Sequence, residues 1–201
     1  MDKKIIVGIS GASGAVYAIK LIDALLTHPI EIHLIISEMG EKILTHELKI
    51  QQEDISGFFS EMRNQDKLKG KIILYDCNDM FAPMASGSFL SDGMVIIPCS
   101  MKTLSAVASG YTTNLLERAI DVTLKEKRPL ILVPRETPLS LIHLKNLLAA
   151  YEAGATIMPA SPGFYHHPQT VDELVMFVVG RIMDHLKIEH PKALRWGSPR
   201  G

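Results

Sequence analysis

Short apolar runs alternate along the chain with segments in which apolar residues recur at helical spacing. The first run covers residues 5–9, and Ala15, Ile19, Ile22 and Leu26 then follow at the spacing of one helical face. Similar runs predict further strands at 31–37, 71–75, 94–98, 130–133 and 155–158. Helices are expected at 39–48, within 49–70, from 99 onward, at 113–127, at 141–152 and after 170. The alternation predicts one α/β domain in which the strands are mostly parallel.

The loop between the first strand and the first helix contains Gly8, Gly11 and Gly14 at three-residue intervals. Glycine lets a backbone turn sharply and approach a ligand closely, and free N–H groups at a helix N-terminus attract anions. The spacing matches neither the G-x-G-x-x-G fingerprint of dinucleotide-binding proteins nor a Walker A loop. We therefore expect a phosphate here, with the alternative that the glycines only make a tight turn and Ser13 caps the helix.

Hydroxyl groups and a lysine form a second predicted anion site after the strand at 94–98. Ser100, Lys102 and Thr103 stand where that strand passes into a helix, so hydroxyls, backbone N–H groups and a cation converge. Ser37 ends the second strand in a similar position, with a helix cap as its alternative role. Two such sites on one sheet favour a cofactor that carries a phosphate.

Charged residues follow the fifth strand and interrupt the last helix. Arg135 and Glu136 emerge at the strand end, before a helix that Pro138 can start. They could form a surface ion pair, but adjacent side chains of an extended segment point to opposite sides, so both can serve a site. Arg181 stands among largely apolar positions of the last helix, where it could bind a phosphate or form an interface ion pair. A Thr-x-x-Glu capping box at Thr170 is expected to begin that helix.

A long loop at 76–93 joins the third and fourth strands and carries Phe81-Ala-Pro-Met-Ala-Ser-Gly-Ser88. A loop of this length inside a compact domain is usually functional. Its combination of apolar bulk with Ser-Gly-Ser predicts the wall of an apolar pocket. The polar segment 49–70 instead predicts a solvated excursion with a short helix.

Composition narrows the range of functions. The 201 residues are 47% hydrophobic and carry a formal net charge of −1, which argues against disorder and against a nucleic-acid-binding surface. Cys77 and Cys99 lack metal-ligand spacing, and such sparse cysteine usage suits a reducing compartment. The chain shows neither a signal peptide nor an uncharged run long enough to span a membrane. A cytoplasmic protein with a small-molecule ligand is expected, with a domain at 1–188 and a tail at 189–201.

Five blocks of residues stand in a fixed order along the chain. They are Gly8-Ile-Ser-Gly-Ala-Ser-Gly14, Pro98-Cys-Ser-Met-Lys-Thr-Leu-Ser105, Leu124-Lys-Glu-Lys-Arg-Pro-Leu130, Val133-Pro-Arg-Glu-Thr-Pro138 and Pro162-Gly-Phe-Tyr-His-His-Pro-Gln169, followed by Arg195-Trp196 in the tail. Together they resemble the UbiX-type flavin prenyltransferases nearly from end to end. The resemblance implies a single-domain, three-layer Rossmann-like or flavodoxin-like fold and a homo-oligomer, commonly a dodecamer.

The resemblance also implies a reaction and the residues that perform it. Members of the family join the dimethylallyl group of dimethylallyl monophosphate to N5 and C6 of reduced FMN, and the prenylated FMN serves a UbiD-type decarboxylase, as in ubiquinone biosynthesis. The implied FMN ligands are Gly11, Ala12, Ser13, Ser37, Ser100, Met101, Lys102, Thr103 and Arg135. The implied ligands of the prenyl phosphate, some of them from a neighbouring subunit, are Ser86, Gly87, Arg118, Lys125, Tyr165 and Arg181. The implied catalytic residues are Ser13, Glu47, Lys125 and Glu136.

The charge changes in this reaction agree with the residue types. Breaking an allylic C–O bond develops positive charge on the prenyl group and negative charge on the phosphate. Arg118, Lys125 and Arg181 can meet the phosphate, and the loop residues from 81 to 88 can surround the alkyl chain. No Asp-rich magnesium-binding motif is present, so no metal is expected.

The chain departs from the family pattern at one position, and its sequence leaves two alternative functions open. Where the family often has an aromatic residue, this chain has Met80, and the aromatic ring belongs to the next residue, Phe81. The first alternative is an FMN-dependent decarboxylase of the cysteine-decarboxylating type, although this chain lacks the matching early histidine and Asn-rich loop. The second is a non-catalytic FMN carrier, which would not need a second phosphate site.

Overall fold

The computed structural model describes residues 2–51, 54–63 and 68–190. This part of the chain contains six strands, β1 Lys3–Ile9, β2 Ile30–Ile36, β3 Lys71–Tyr75, β4 Gly93–Cys99, β5 Leu130–Pro134 and β6 Thr156–Ile157. Its seven α-helices are α1 Ala15–Leu26, α2 Glu38–Leu48, α3 Ile55–Arg63, α4 Met101–Ser109, α5 Leu115–Lys125, α6 Leu141–Glu152 and α7 Val171–His185. None of these helices is long and apolar enough to cross a membrane. Most of the tail at 189–201, including Arg195 and Trp196, lies outside the described residues.

The six strands form one sheet in the order β3-β2-β1-β4-β5-β6, and every neighbouring pair is parallel. This is the strand order of Rossmann-like sheets, so the predicted α/β fold is confirmed. The direction of winding reverses between β1 and β4. In such sheets the loops that follow the two diverging strands open a crevice at the carboxyl edge, where ligands bind.

Helices cover both faces of the sheet, and each face has its own apolar core. On one face Val7 and Leu34 pack with residues of α1 and α7. On the other face Ile6, Met94 and Leu132 pack with residues of α4, α5 and α6. Successive strand residues point to opposite faces, so a strand that is covered on both sides must be apolar throughout. This explains why the strands are continuous apolar runs in the sequence.

The start of α1 lacks the serine cap that the sequence suggested. Gly14 precedes the helix with φ +110°, and no side chain at that position caps it. The alternative in which Ser13 caps the helix is therefore wrong. A left-handed backbone favours glycine at Gly14, whereas a Cβ atom at Gly8 would force the ends of the Leu116 and Ile96 side chains to shift.

Hydroxyl groups cap both α6 and α7. The hydroxyl of Ser140 caps α6, so Pro138 precedes this helix rather than starting it. At α7 the hydroxyl of Thr170 accepts a hydrogen bond from the backbone N–H of Glu173, as predicted. The Glu173 carboxylate reaches back to the N–H of Gln169 instead of that of Thr170. The predicted cap is confirmed, and the reciprocal half of the box is displaced by one residue.

Helix α6 presents an exposed apolar face. Leu141, Leu144, Leu148 and Tyr151 follow one another at helical spacing and are 67%, 50%, 56% and 65% exposed. Large apolar side chains grouped in this way usually mark an interaction surface. We therefore expect another protein surface to cover this face of α6.

Candidate functional site

A cleft of about 340 Å³ lies at the carboxyl edge of the sheet. The N-termini of α2, α4 and α5 surround it together with the end of β5. It is lined by Gly11, Ala12, Ser37, Glu38, Met39, Ser100, Met101, Lys102, Thr103, Asn114, Leu116, Glu117, Arg135 and Glu136. Eight of the nine residues predicted to bind FMN therefore line one cleft, and only Ser13 is missing from its lining.

The N-terminus of α4 is organised around Ser100. The Ser100 hydroxyl accepts a hydrogen bond from the Thr103 N–H at 3.2 Å and lies 3.1 Å from the Thr103 hydroxyl. The Ser100 N–H donates to the hydroxyl of Ser10 at 2.8 Å, and that hydroxyl donates to the Pro98 carbonyl at 2.9 Å. The buried Ser10 side chain thus ties the end of β1 to the start of α4. The two loops that flank the crevice hold a fixed relative position.

Ser37 combines both roles that the sequence left open. Its hydroxyl accepts a hydrogen bond from the Gly40 N–H at 3.1 Å and so caps α2, and the residue also lines the cleft. Gly11 faces this helix, and a Cβ atom at Gly11 would overlap that of Met39. Glycine at this position therefore lets the first loop pack closely against α2.

Arg135 enters the cleft from the end of β5 with an unused hydrogen-bond donor. Its Nε atom is buried and has no hydrogen-bond partner among the described residues. A buried donor without a partner costs about 1–3 kcal/mol, so native proteins rarely leave one unpaired. Next to it Glu136 is exposed, and its Oε1 atom accepts a hydrogen bond of 2.9 Å from the Thr137 N–H. An anionic ligand in the cleft would satisfy the Arg135 donor.

Glu47 occupies the start of α1, where the sequence predicted free N–H groups for a phosphate. Its carboxylate accepts hydrogen bonds from the N–H of Gly14 at 3.0 and 3.1 Å and from the N–H of Ala15 at 2.8 Å. A side chain of α2 therefore satisfies the helix N-terminus and its positive dipole end. The expectation that these N–H groups are free is wrong. From this loop only Gly11 and Ala12 line the cleft.

A buried carboxylate, Glu117, lies in the cleft wall. Its Oε2 atom accepts hydrogen bonds from the backbone N–H of Thr113 at 2.8 Å and from the Thr113 hydroxyl at 2.7 Å. Burial alone would raise the pKa of Glu117, but the hydrogen bonds from Thr113 and the charge of Lys102 together lower it. The Lys102 Nζ atom lies 3.5 Å from Glu117 Oε1, although the Lys102 side chain is 78% exposed. Glu117 thus remains ionised at neutral pH and holds Lys102 at the rim of the cleft.

The residues predicted to bind the prenyl phosphate form two separate groups. The first group lies where α5 meets the turn that contains Ser86 and Gly87. Here the Arg118 Nε atom donates to the carbonyl of Ala85 at 3.1 Å. A Cβ atom at Gly87 would lie 3.0 Å from the Lys125 Nζ atom. The structure therefore brings four of the predicted residues together on one face of the sheet.

Both cations of this group have acidic neighbours. Arg118 Nη1 lies 2.6 Å from Asp121 Oδ2, and Lys125 Nζ lies 2.6 Å from Glu126 Oε1. All four side chains are about one third exposed or more, and ion pairs between such groups contribute only about 0–1 kcal/mol. A phosphate can therefore replace either carboxylate at little cost.

The second group lies on the opposite face of the sheet. The ring of Tyr165 packs edge to face against Phe177 of α7, with 5.7 Å between the ring centroids. Arg181 also lies on α7, is 54% exposed, and has its Nη1 atom 3.5 Å from Asp184 Oδ2. Helix α7 packs in the core shared with α1, whereas α5 packs in the other core. Within one chain, Tyr165 and Arg181 do not meet the residues of α5.

The loop at 76–93 does not build the predicted apolar pocket wall within this chain. Phe81 is 99% exposed and Met80 is 41% exposed. The Asp79 side chain accepts a hydrogen bond from the Phe81 N–H at 3.0 Å, which fixes the local turn. Ala82 and Met84 point instead into the core beneath α5. Among the described residues, the Phe81 ring therefore has almost no apolar contact.

Sequence reasoning missed five residues that line the cleft, namely Glu38, Met39, Asn114, Leu116 and Glu117. One of them carried a local signal, because Asn114 followed by Glu117 before an apolar helix is typical of an N-cap. In the structure Asn114 is indeed the N-cap of α5, since its side chain accepts a hydrogen bond from the Glu117 N–H at 3.0 Å. The other residues lie at the starts of two helices, Glu38 and Met39 in α2 and Leu116 and Glu117 in α5, and line the cleft where those helices begin.

Comparison with known proteins identifies the family. Residues 1–183 match the family described as Flavoprotein. The flavin prenyltransferase UbiX of Alkalihalophilus pseudofirmus is 47% identical over 198 residues, which make up 98% of each chain. This relative supports the resemblance to the UbiX-type proteins over nearly the whole length.

Two solved structures have the same fold. The dodecameric FMN-dependent UbiX-like decarboxylase from Escherichia coli O157:H7 is 42% identical, with a TM-score of 0.86 over 97% of this chain and 100% of that one. AnUbiX (PadA1), solved in complex with FMN and dimethylallyl pyrophosphate, is 38% identical, with a TM-score of 0.89 over 100% of both chains. The chain described here belongs to the UbiX-type flavin prenyltransferases within the Flavoprotein family.

Proposed function

We propose that this protein is a flavin prenyltransferase that joins the dimethylallyl group of dimethylallyl monophosphate to N5 and C6 of reduced FMN. The observation that carries the proposal is the buried Nε atom of Arg135, which has no hydrogen-bond partner among the described residues and lies in a cleft at the carboxyl edge of a Rossmann-like sheet. Relatives named flavin prenyltransferases, at up to 48% identity over nearly the whole chain, support the same activity here.

The cleft fits FMN in volume and in donor chemistry. Its volume of about 340 Å³ lies within the range of about 300–1,000 Å³ that is usual for small-molecule sites. The capped N-termini of α2 at Ser37 and of α4 at Ser100 direct their positive dipole ends toward it. Lys102 and Arg135 add positive charge. We infer that these groups bind FMN together with Gly11, Ala12, Met101 and Thr103.

The prenyl-phosphate site is proposed to form between subunits. Arg118 and Lys125 lie on one face of the sheet, and Tyr165 and Arg181 lie on the other, so they can surround one phosphate only when two chains meet. The exposed apolar face of α6 supports assembly, as does the dodecameric relative from Escherichia coli O157:H7. A homo-oligomer, with a dodecamer as the proposed form, is therefore the active species.

The residues of this chain would handle charge and protons while reduced FMN supplies the nucleophilic N5 atom. The allylic C–O bond would break with its electrons leaving on the phosphate, and the N5 atom would lose a proton as the C–N bond forms. The second bond, to C6, would form as the prenyl alkene takes up one proton and C6 releases one. Arg118, Lys125 and Arg181 would stabilise the charge on the departing phosphate. Glu136 at the cleft rim is the proposed acceptor of the N5 proton. Glu47 and Ser13 would assist proton transfer beside the first loop.

The product and its place of use follow from the same proposal. Prenylated FMN would leave the cleft and pass to a UbiD-type decarboxylase. Both cysteines are free thiols, and burial raises the pKa of Cys99 to about 12, so this thiol is unreactive. Free thiols that form no disulfide support the proposal that the protein works in the cytoplasm.

Anaerobic incubation with reduced FMN and dimethylallyl monophosphate, followed by mass measurement of the flavin, tests the function. We expect a flavin whose mass has increased by one dimethylallyl group, together with released phosphate. A protein that bound FMN but left its mass unchanged would be a flavin carrier, and the proposed activity would be refuted. Release of carbon dioxide from cysteine-terminated peptides would instead indicate the alternative decarboxylase.

A further inference from the structure

Arg128 joins the end of α5 to the turn that carries Ser86 and Gly87. Its Nη2 atom donates to the Gly87 carbonyl at 2.7 Å, and its Nη1 atom donates to the Phe89 carbonyl. The backbone N–H of Arg128 donates to the Thr123 carbonyl at 2.9 Å, so the residue is fixed to the last turn of the helix. One guanidinium therefore binds two carbonyls of the same turn.

The geometry of these contacts requires arginine. The guanidinium is planar and presents several donors at fixed angles, so it can bind two acceptors at once, whereas a lysine ammonium acts as a point charge. The turn itself is tight, because the Phe89 N–H donates to the Ser86 carbonyl at 3.2 Å and the Ser86 and Ser88 hydroxyls lie 2.9 Å apart. Arg128 thus holds the turn through the carbonyls of Gly87 and Phe89.

The position of this turn also determines the surroundings of Lys125. A Cβ atom at Gly87 would overlap the carboxylate of Glu126 and would lie 3.0 Å from the Lys125 Nζ atom. The lysine and its acidic neighbour therefore lie directly against the backbone at Gly87. At the other end of the turn Arg118 binds the Ala85 carbonyl. A shift of this turn would change the positions of both α5 cations.

We propose that Arg128 is a positioning residue for the prenyl-phosphate half of the site, which fixes the turn at 85–89 against Lys125 and Arg118. This inference rests on the proposed function, since it assigns these two cations to the phosphate of dimethylallyl monophosphate. Arg128 does not line the FMN cleft. Its loss therefore weakens the use of the prenyl substrate and leaves FMN binding intact.

The test replaces Arg128 by methionine, which keeps the apolar stem and removes both donors. We expect Arg128→Met to raise the KM for dimethylallyl monophosphate at least about tenfold, while the Kd for FMN stays within about twofold of wild type. Amide hydrogen exchange in residues 86–89 should accelerate. The KM of Arg128→Lys should lie between those of the wild type and Arg128→Met, because one ammonium can bind only one carbonyl well. Lys127→Asn is the matched control, because it removes one positive charge from an exposed residue next to Arg128. Asparagine is chosen because Lys127 has φ +54°, a conformation that asparagine adopts readily.

The outcomes separate this inference from the proposed function. If the wild-type protein does not prenylate FMN, the proposed function fails. If the wild type is active and Arg128→Met has the wild-type KM for dimethylallyl monophosphate, the inference is overturned. Loss of FMN affinity and of prenyl-substrate use in equal proportion would also overturn it, because that pattern indicates general damage to the fold. If Arg128→Met does not fold, the same KM and Kd comparison on Arg128→Lys decides.

Discussion

The carboxylate of Glu47 accepts a hydrogen bond of 2.8 Å from the backbone N–H of Ala15, the first residue of α1. The same carboxylate also binds the N–H of Gly14. This contact links α2 to α1 across the glycine loop and places a negative charge at the positive end of a helix dipole. The loop is therefore held by a side chain of the protein itself before any ligand arrives.

Replacement of Glu47 by glutamine should destabilise the protein. Glu47→Gln keeps one acceptor but removes the charge at the α1 N-terminus, so we expect the free energy of unfolding to fall by about 1 kcal/mol. Urea denaturation measures this change. Glu189→Gln, at an exposed carboxylate outside the helices, is the control and should leave the free energy of unfolding unchanged. Identical unfolding curves for Glu47→Gln and wild type would show that the carboxylate does not stabilise the helix start.

Replacement of Arg135 by alanine should weaken FMN binding. A hydrogen bond to a charged group contributes about 1.5–3 kcal/mol, which predicts an increase in Kd of roughly 10- to 100-fold. Quenching of flavin fluorescence measures the Kd. Lys145→Ala, which removes a positive charge from the exposed side of α6, is the control. A wild-type Kd in Arg135→Ala would mean that the buried Nε atom does not bind the flavin.

Replacement of Glu136 by glutamine should slow the chemistry without changing FMN affinity. General acid–base catalysis typically contributes about 100- to 10,000-fold in rate, so a loss of at least about tenfold, or roughly 1.4 kcal/mol in the barrier, is expected. Anaerobic single-turnover kinetics measures the rate. The side chain is exposed, and among the described residues its Oε1 atom accepts a hydrogen bond only from the Thr137 N–H, so folding should be unaffected. A wild-type rate in Glu136→Gln would exclude Glu136 as a catalytic residue.

Two inactive variants should restore activity to each other when they are assembled together. Arg118→Ala and Arg181→Ala remove cations from opposite faces of the sheet. In mixed oligomers some sites receive the intact Arg118 of one subunit and the intact Arg181 of another, so prenylated FMN should form. Mass measurement after co-expression detects it. If both variants assemble and bind FMN but the mixture stays inactive, the site is not shared between subunits.

The stability of the protein should fall as the pH drops below about 6.5, because His33 is buried. The side chain of His33 is 2% exposed, its Nε2 atom lies 2.8 Å from Glu31 Oε1, and its Nδ1 atom lies 2.9 Å from the Tyr75 hydroxyl. Burial lowers the pKa of His33 from 6.5, although the nearby Glu31 opposes the shift. Lys4 and Lys71, which also face this group, lower it further.

The direction of the pH effect follows from this shift. Below pH 6.5 the unfolded chain takes up a proton at His33 before the folded chain does, so stability is present above that pH and is lost as the pH falls toward the folded pKa. Thermal unfolding between about pH 5 and pH 8 measures this loss. The variant His33→Gln should lack this part of the pH dependence. If the thermal stability of His33→Gln fell with pH in parallel with that of the wild type, the prediction would be refuted.

Most of the fold could be predicted from the sequence because its signals are local. Continuous apolar runs identified the strands, a cap was one of the two roles expected for Ser37, and the Thr-x-x-Glu pattern identified Thr170 as the cap of the last helix. The role of Glu47 could not be predicted, because its partner Ala15 lies 32 residues away and approaches it only when α1 and α2 pack.

The arrangement of the second site could not be predicted for a different reason. A motif shows which residue types are present, but the face of the sheet on which they lie depends on the winding of the chain. The packing of α5 and α7 in separate cores, one on each side of the sheet, shows that Arg118 and Arg181 lie on opposite faces. The same dependence on packing brought the buried Glu117 into the cleft wall without a motif of its own.

The placement of Arg118 and Arg181 on opposite faces has a consequence for inheritance and dosage. Under the proposed assignment each chain contributes to two different sites, one through α5 and one through α7. A chain that assembled but lacked both arginines would therefore damage two sites, which is the behaviour of a dominant-negative allele, whereas a chain that lacked one of them would damage only one. Dilution would dissociate the oligomer and so remove activity from chains that remain folded, because assembly follows mass action. Output per chain would then rise with expression level.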